Sequence, residues 1–277
     1  MSVSVTELEE LARRCRIEIV KMVYRAQAGH PGGSLSEIDL MAALYSASLR
    51  TRPHEPNWDD RDRFILSKGH ASPGMYALLA EMGFIQHEDL HSYRLLGGIC
   101  QGHVDMKWCP GVDFSAGSLG MGLSFGMGCA LAARLDGSKR RAFVMLGDGE
   151  IQEGSIWEAA MAAAHHELGN LKVILDRNRI QNDDFCQQQM RMFDIPAKWK
   201  AFGWNVKEID GHNMEEIIEG IQFLDDSNEG PSILIAHTVK GKGVSYMEDN
   251  PSFHGAAPNN EQLSLIHISE PTRHTRI

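Results

Sequence analysis

Residues 142–150 read AFVMLGDGE, an apolar run that ends in a Gly-Asp-Gly turn. An unbroken apolar run of this length is typical of a strand that is buried on both faces of a parallel sheet. The carboxyl ends of such strands are where open α/β sheets bind ligands, and glycines allow a ligand close to the backbone. The stretch therefore favours an α/β fold with a candidate binding residue, Asp148, although Gly-Asp-Gly alone is also an ordinary turn sequence.

The alternation of strand and helix extends in both directions from this stretch. Helical periodicity predicts helices, and short apolar runs predict strands, at 63–67 (strand), 73–82 (helix), 155–168 (helix), 171–175 (strand), 196–202 (helix), 205–209 (strand), 214–224 (helix) and 232–239 (strand). Strands separated by helices imply a parallel sheet covered on both faces. We expect one doubly wound α/β domain with a mostly parallel sheet, because no linker or internal repeat interrupts the pattern.

The N-terminal region is predicted to be helical. Thr6 with Glu9, and Ser34 with Glu37, have the spacing of capping boxes, which predicts a helix start at each place. Residues 28–33 (AGHPGG) lie between them and are rich in glycine and proline, so we expect a rigid, non-helical turn there.

Residues 114–133 contain no charged side chain and are about as long as a membrane span. Gly122, Gly126 and Ala130 recur at intervals of four within this segment, and small residues at that spacing let neighbouring backbone approach closely. We therefore expect a buried helix beside a ligand rather than a membrane span.

Composition restricts the class of partner and the compartment. The formal net charge of −10 and the pI near 5.7 argue against a nucleic-acid or anionic-membrane partner. The acidic start of the chain lacks the pattern of a secretory signal. The five cysteines are scattered without a Cys-x-x-Cys pair, and a zinc site at Cys100, His103 and Cys109 would lack a fourth ligand. We expect free thiols and a cytoplasmic protein.

The last residues differ from the rest of the chain. Residues 263–277 (LSLIHISEPTRHTRI) follow neither the strand nor the helix pattern, and they also match the translation of a common transposase sequencing adapter. We predict that the native domain covers residues 1–262 and that residues 263–277 are a non-native tail.

Asn178 occupies a position equivalent to that of Asp148. It follows the strand predicted at 171–175, and thirty positions separate it from Asp148, which is enough for a turn, a helix and a strand. The two side chains should therefore converge at one edge of the sheet. A carboxylate and an amide oxygen are ligands that a hard cation such as Mg²⁺ or Ca²⁺ prefers. Asn178 alone could also be a simple turn residue.

The segment Gly147-Asp148-Gly149, followed by Asn178, resembles the fingerprint of thiamine-diphosphate enzymes. The resemblance implies that Asp148, Asn178 and the backbone carbonyl of Ile180 hold Mg²⁺, or Ca²⁺ or Mn²⁺ in its place, which clamps the cofactor diphosphate. It also assigns cofactor contacts to Gly147, Gly149 and Glu150. The fingerprint is shared by decarboxylases, dehydrogenases and transketolases.

Histidines in loops select among these families. Four Gly-His dipeptides occur, which is more than random pairing of 27 glycines with 13 histidines would give. The loop histidines at Gly29-His30-Pro31-Gly32, Ser67-Lys68-Gly69-His70, Gly102-His103 and His254-Gly255 resemble those of transketolases in order and spacing. The resemblance, which extends to about Gln262, implies catalytic roles for four residues and cofactor contacts for two of them, His70 and His254; the four are His30, His70, His103 and His254. Neutral imidazoles can bond sugar hydroxyls and carry protons near neutral pH. His212 is expected to be a surface or capping residue.

Two further segments fit the same family. Gly117, Ser118 and Leu119 resemble the loop that lies against the rings of the cofactor, and Glu153 resembles a glutamate at the dimer interface that links two cofactor sites. Glu153 could equally be a stabilising acid at a helix N-terminus. The basic loop Lys240-Gly241-Lys242-Gly243 either contacts phosphate, with Lys242 as the weak candidate, or is solvated.

The transketolase resemblance implies transfer of a two-carbon ketol unit from a ketose phosphate to an aldose phosphate. A full transketolase carries a second α/β domain, whose glutamate contacts the cofactor's aminopyrimidine, and this sequence has no residues for it. We therefore expect an N-terminal subunit that needs a complementary C-terminal subunit with the pyrimidine-binding domain, in a two-fold assembly. The alternatives are half of a deoxyxylulose-phosphate synthase or of a 2-oxoacid dehydrogenase, and a non-catalytic metal-diphosphate binding protein.

Overall fold

The structure is a computed structural model that describes residues 3–182 and 184–265. In these residues the α-helices are α1 (Val5–Ala26), α2 (Pro31–Ala47), α3 (Ser72–Glu81), α4 (Met121–Leu135), α5 (Gly154–His165), α6 (Cys186–Gln189), α7 (Ile195–Ala201), α8 (Met214–Asp226) and α9 (Asn260–Leu265). The strands are β1 (Arg63–Leu66), β2 (Ala142–Gly147), β3 (Leu171–Arg177), β4 (Ile180–Gln181), β5 (Asp184–Phe185), β6 (Asn205–Asp210) and β7 (Ser232–His237).

Five of the strands form one parallel sheet in the order β1-β2-β3-β7-β6. Alternate residues of the strands pack into two cores. One core joins the sheet to α1, α2, α3 and α8, and the other joins it to α4, α5 and α7. Because side chains on a strand alternate between the two faces, a strand covered on both sides has to be apolar throughout. The predicted doubly wound α/β fold is confirmed.

β3 runs two residues further than the sequence predicted. Its register pairs Asp176 with Ala236 and Arg177 with His237, so the strand continues through charged residues. The side chain of Asp176 is fully buried, and it is tolerated there because four polar groups donate to it. The same polar strand end positions Asn178.

Both predicted capping boxes are wrong. At α1 the box is formed two residues earlier, by Ser4 and Glu7, where Glu7 N donates to Ser4 Oγ at 3.3 Å and Ser4 N donates to Glu7 Oε2 at 2.8 Å. At α2 the helix begins at Pro31, inside the segment predicted to be non-helical. Proline suits the first helical position because its missing N–H would have no helical partner there.

α4 fits the expectation for a closely packed helix. Gly122, Gly126 and Ala130 are buried, and a Cβ at Gly122 would lie only 2.3 Å from Ser67 Oγ. A Cβ at Gly126 would lie 2.4 Å from Val144 Cγ2 on β2. The glycines therefore bring α4 against the strand ends near the site. In the described part of the chain, no helix is long and apolar enough to cross a membrane.

The boundary of the native domain remains a prediction. Residues 263–265 of the proposed tail form the end of α9, and residues 266–277 lie outside the described residues.

Candidate functional site

The carboxyl ends of β1, β2, β3 and β7 surround a cavity of about 400 Å³. All but one of the residues that the sequence proposed for the site line it, namely His30, His70, His103, Gly117, Leu119, Gly147, Asp148, Gly149, Glu150, Glu153, Asn178, Ile180 and His254. Ser118, the exception, is exposed in the loop between Gly117 and Leu119. The cavity also contains two lysines, Lys68 and Lys240, that were not predicted from the sequence as site residues.

Asp148 follows β2 and is almost fully buried. Its Oδ2 accepts from the backbone N–H of Arg179 at 2.7 Å, and its Oδ1 accepts from that of Gly149 at 2.9 Å. Arg179 follows the neighbouring strand β3, so this bond joins the two strand ends as the sequence predicted. Burial, with the nearby charge of Asp176, raises the pKa of Asp148 to about 6. A buried carboxylate without a cation partner is one that a metal ion would stabilise.

Asn178 is held in one orientation by its neighbours. Its Nδ2 donates to Asp176 Oδ2 at 2.9 Å and lies 3.3 Å from Ser36 Oγ, whereas its Oδ1 accepts from the backbone N–H of Ile180 at 3.2 Å. The reverse orientation would place the amide oxygen against a carboxylate. The amide oxygen is therefore on the side of Ile180, and both belong to the lining of the cavity.

Asp176 is the centre of a buried polar network. Its Oδ2 accepts from Ser36 Oγ at 2.7 Å, from Asn178 and from Lys68 Nζ, and its Oδ1 accepts from Thr238 Oγ. Burial opposes ionisation, but Lys68 and the other donors outweigh it and lower the pKa of Asp176. A fully satisfied network of this kind fixes the side chains that belong to it.

Lys68 connects Asp176 to a second buried acid, Glu37. Lys68 Nζ lies 2.9 Å from Glu37 Oε2. Burial works against the ammonium, but the two carboxylates outweigh it and raise the pKa of Lys68. Burial raises the pKa of Glu37 to about 8, against the opposing effect of Lys68, so near neutral pH this acid is largely protonated. The network then carries one negative charge, on Asp176, beside one ammonium.

Glu150 does not project freely into the cavity. Its Oε1 accepts from Ser67 Oγ and, at 2.9 Å, from the backbone N–H of Gly120, and its Oε2 accepts from that of Gly147 at 3.1 Å. It therefore ties the loop before α4 to the ends of β1 and β2. Burial raises the pKa of Glu150. Its contribution to the site is to hold the Gly117–Leu119 loop in place.

Four histidine rings form a cluster on one side of the cavity. The ring centroid of His30 lies 5.1 Å from His70, 6.2 Å from His103 and 5.4 Å from His254. Burial lowers the pKa of His30 to about 4 and that of His254 to about 3, and it also lowers those of His70 and His103. These imidazoles are neutral near pH 7, so each offers one donor and one acceptor nitrogen. The Nδ1 atom of His30 is buried without a hydrogen-bond partner among the described residues.

Lys240 follows β7 and is buried beside the histidines. Its Nζ donates to the carbonyl of Ile180 at 3.0 Å and lies 2.6 Å from His254 Nδ1. Burial, and next the charge of Lys68, lower the pKa of Lys240 to about 8. Lys242, the weak candidate from the sequence, is half-exposed and lies 3.8 Å from Glu248. The basic residue of this loop that reaches the cavity is therefore Lys240.

His212 is not a surface or capping residue as expected. Its Nδ1 lies 2.8 Å from Asp39 Oδ2, and its Nε2 accepts from the backbone N–H of Val239 at 2.8 Å. Arg16 also contacts Asp39 and donates to the carbonyl of Lys242 at 3.1 Å. These contacts support the loop that carries Lys240 from the side away from the cavity.

Glu153 is exposed at the N-terminus of α5 and makes no side-chain capping bond there. It lies against Gly120, where an added Cβ would be 2.7 Å from Glu153 Cβ. Apolar side chains are exposed around it: Leu119 is 37% exposed, Met121 49% and Met161 55%. This part of the surface is a candidate for an interface.

A larger cavity of about 1100 Å³ lies on the other side of Asp148. Its walls are mainly exposed residues of the segment 185–195, together with Arg177 and Arg179. The smaller cavity contains the buried acids, amide and histidines, so we place the chemistry there despite its size.

The residues that orient the ligands were not predicted from the sequence. Asp176, Lys68, Glu37 and Ser36 are buried polar residues within or beside apolar elements. The signal that could have found them is a charged residue in an otherwise apolar strand, because burial of a charge requires a partner. Lys240 carried a weaker signal, since it lies in a loop already noted as basic.

Comparison with known proteins identifies the family. The model of the family described as "Transketolase, thiamine diphosphate binding domain" matches residues 8–269. One of the two subunits of the apulose-4-phosphate transketolase of Phocaeicola vulgatus is 42% identical over 262 residues, which cover 95% of this chain and 92% of that protein. The 6-deoxy-6-sulfo-D-fructose transketolase subunit SqwG of a Clostridium species is 38% identical, with 92% of each chain covered.

Solved structures give the same assignment. The transketolase from Campylobacter jejuni superposes with a TM-score of 0.90 at 31% identity, over 97% of this chain and 43% of that longer chain. This chain thus corresponds in length to the subunits rather than to the complete single-chain enzyme. It belongs to the transketolase family and consists of that family's thiamine diphosphate binding domain.

Proposed function

We propose that this chain is the thiamine-diphosphate-binding subunit of a two-chain transketolase, which transfers a two-carbon ketol unit from a ketose phosphate to an aldose phosphate. The observation that carries the proposal is the convergence of Asp148, Asn178 and four neutral histidines on one cavity. The cation ligands and the groups that contact sugar hydroxyls are then adjacent, as a cofactor-dependent reaction on sugars requires.

The donor set fits a hard divalent cation. Asp148 supplies carboxylate oxygens, which accept only from backbone N–H groups, and Asn178 supplies an amide oxygen whose orientation is fixed. The carbonyl of Ile180 accepts from Lys240 and retains a second lone pair. All three ligands are oxygens, which Mg²⁺ prefers, and Ca²⁺ or Mn²⁺ could replace it. Asp148, Asn178 and Ile180 are therefore the proposed metal ligands.

The surroundings also fit a diphosphate and a planar ring system. Lys240 supplies a buried ammonium, and the glycines at 147 and 149 leave the backbone accessible next to Asp148. The loop Gly117–Leu119, held by Glu150, would lie against the rings, and His70 and His254 would complete the contacts. When bound, the cofactor supplies the electron sink for breaking and forming the carbon–carbon bond.

The protein's own groups handle the sugar. His30, His70, His103 and His254 are neutral near pH 7, because burial disfavours their charged forms, so each can donate to one hydroxyl and accept from another. Neutral rings also avoid placing positive charge next to the ammonium of Lys240. We assign these four residues to binding the sugar hydroxyls and moving protons between them.

The proposed partner is a complementary subunit that carries the pyrimidine-binding domain. The two relatives described above are subunits by name, and the exposed apolar side chains at Leu119, Met121 and Met161 flank the cavity loop and α5. An interface here would cover these side chains and place Glu153 between two chains. We propose a two-fold assembly of two such chains and two partner subunits. The cytoplasmic location remains a prediction from the sequence.

Ketol transfer should be measured with the purified chain alone over a dilution series, and then with the partner titrated in. We expect no activity from the chain alone and activity that rises with partner concentration until the two are equimolar, as mass action requires. Turnover by the chain alone that is independent of protein concentration would contradict the two-chain assignment. Cofactor binding by the assembled chains without any ketol transfer would favour the non-catalytic alternative.

Other thiamine-diphosphate enzymes remain the second candidates. The histidine cluster argues against a 2-oxoacid dehydrogenase half, because removal of carbon dioxide from an oxoacid does not need four groups for sugar hydroxyls. Testing pyruvate and a 2-oxoacid dehydrogenase assay alongside ketose phosphates separates these alternatives.

A further inference from the structure

His254 and Lys240 form a buried pair in which one ring nitrogen is already occupied. Lys240 Nζ lies 2.6 Å from His254 Nδ1 and donates to the carbonyl of Ile180 at 3.0 Å. Lys240 is only 2% exposed, so water does not compete for these bonds. The loop that carries Lys240 is braced from behind by His212, which accepts from Val239 N at 2.8 Å.

The chemistry of the two groups determines the direction of the bond. An ammonium has three N–H donors and no acceptor, so a ring nitrogen bonded to it has to supply the lone pair. A neutral imidazole carries one proton, and if Nδ1 is the acceptor, that proton is on Nε2. The low pKa of His254, caused first by burial and next by Lys240, is consistent with a ring that stays neutral.

The other ring nitrogen remains available to a ligand. His254 lines the cavity between His30 and His70, whose ring centroids lie 5.4 and 5.3 Å from its own. Among the described residues, Nε2 of His254 has no hydrogen-bond partner of the protein. The histidines of the cluster are therefore not equivalent: His254 has a cation on one nitrogen, whereas Nδ1 of His30 is buried without a partner in the part of the chain that the structure describes.

We propose that Lys240 is a positioning residue that fixes His254 as the Nε2–H tautomer, so that His254 donates a hydrogen bond to a sugar oxygen and does not accept a proton from it. The general-base role then falls to other members of the cluster. The identity of the acceptor as a sugar oxygen rests on the proposed function, but the tautomer itself does not.

The tautomer can be measured directly in the chain labelled with ¹⁵N-histidine and assembled with its unlabelled partner. Nitrogen chemical shifts distinguish protonated from unprotonated ring nitrogens, and His254→Gln assigns the signals. At pH 7 we expect a protonated Nε2 and an unprotonated Nδ1 in the wild type, and a mixture of both tautomers in Lys240→Met. Lys242→Met, a matched change two residues away on an exposed lysine, should leave the signals unchanged. A protonated Nδ1 in the wild type, or an unchanged tautomer in Lys240→Met, would overturn the proposal.

A second measurement tests the donor role without relying on a Lys240 variant that folds. The amide of glutamine can donate a hydrogen bond but cannot take up a proton, so His254→Gln should retain most of the wild-type kcat at saturating cofactor, with KM for the ketose donor changed by about two- to tenfold. His254→Leu, which has no donor, should lose at least tenfold more kcat/KM than His254→Gln. Equal losses in the two variants would contradict the donor role. Because the nitrogen shifts need no substrate, a failure of the proposed function would leave the tautomer result intact.

Discussion

Asn178 donates its side-chain amide to Asp176, with Nδ2 2.9 Å from Asp176 Oδ2, and this bond decides which end of the amide faces the cavity. The carboxylate is fully buried and also accepts from Ser36, Lys68 and Thr238. Since a carboxylate accepts but does not donate, it turns the amide oxygen of Asn178 toward Ile180. A metal ligand is thus oriented by a residue that does not itself line the cavity.

Replacing Asp176 with asparagine should weaken metal-dependent cofactor binding about 10- to 100-fold, the usual effect of losing a residue that orients a metal ligand. An asparagine can present either end to Asn178 and so no longer fixes it. The fold should be retained, because Lys68 keeps Glu37 as a partner and that acid ionises more readily without the charge of Asp176. Calorimetric titration of the assembled enzyme measures the affinity. Thr238→Val, which removes only the bond to the other oxygen of Asp176, is the matched control and should have a smaller effect. Equal affinity in Asp176→Asn and the wild type would remove the orienting role.

Asp148→Ala should abolish binding of thiamine diphosphate in the presence of Mg²⁺, because it removes the only charged ligand of the proposed set. Asn178→Ala should weaken binding in the same direction but less. Both are measured by calorimetry with the assembled enzyme, with and without a chelator. Asp249→Ala is a suitable control, since Asp249 is exposed and pairs only with Arg179 at 3.4 Å among the described residues. If Asp148→Ala binds the cofactor normally and a chelator still weakens that binding, the metal lies elsewhere.

His30→Ala and His70→Ala should each lower turnover by about 10²-fold while leaving the affinity for the cofactor nearly unchanged. The reason is that these neutral rings are assigned to substrate hydroxyls and protons rather than to the diphosphate. Steady-state rates with ketose donors, at saturating cofactor, provide the measurement. His91→Ala removes an exposed loop histidine outside the cavity and should behave like the wild type. Wild-type turnover in both cavity variants would show that the cluster is structural.

Gly122→Ala should destabilise the chain by about 1–3 kcal/mol, the usual cost of overpacking a tight contact. The added Cβ would lie 2.3 Å from Ser67 Oγ, which donates to Glu150 and accepts from Gly122 N at 3.1 Å. Gly128 lies on the exposed side of the same helix, with nothing within 4 Å of an added Cβ. Gly128→Ala should therefore stabilise the helix by about 1 kcal/mol, since alanine has the higher helix propensity. Thermal unfolding of the two variants gives the comparison, and equal stability in both would mean that α4 does not pack as closely as described.

The sequence by itself determined the architecture and the location of the site. The apolar strands predict a parallel sheet because burial on both faces leaves no place for alternating polar residues, and the order of β2 and β3 was sufficient to bring Asp148 and Asn178 together. The loop histidines were found because their dipeptide pattern and their resemblance to a family are both local properties. Residues 263–277, which the sequence set apart as a tail, remain a prediction.

Only the tertiary structure decided how the site residues are oriented and charged. Glu37 has the spacing of a capping residue, yet it is fully buried beside Lys68, from a different element. Lys240 and Lys242 are equally basic in sequence, but only Lys240 reaches His254. A hydrogen bond between residues far apart in the chain leaves no periodic trace in the sequence, and a pKa depends on the burial and charges that surround a group after folding. The orientation of Asn178 and the neutral state of the histidines are therefore properties of the packed chain.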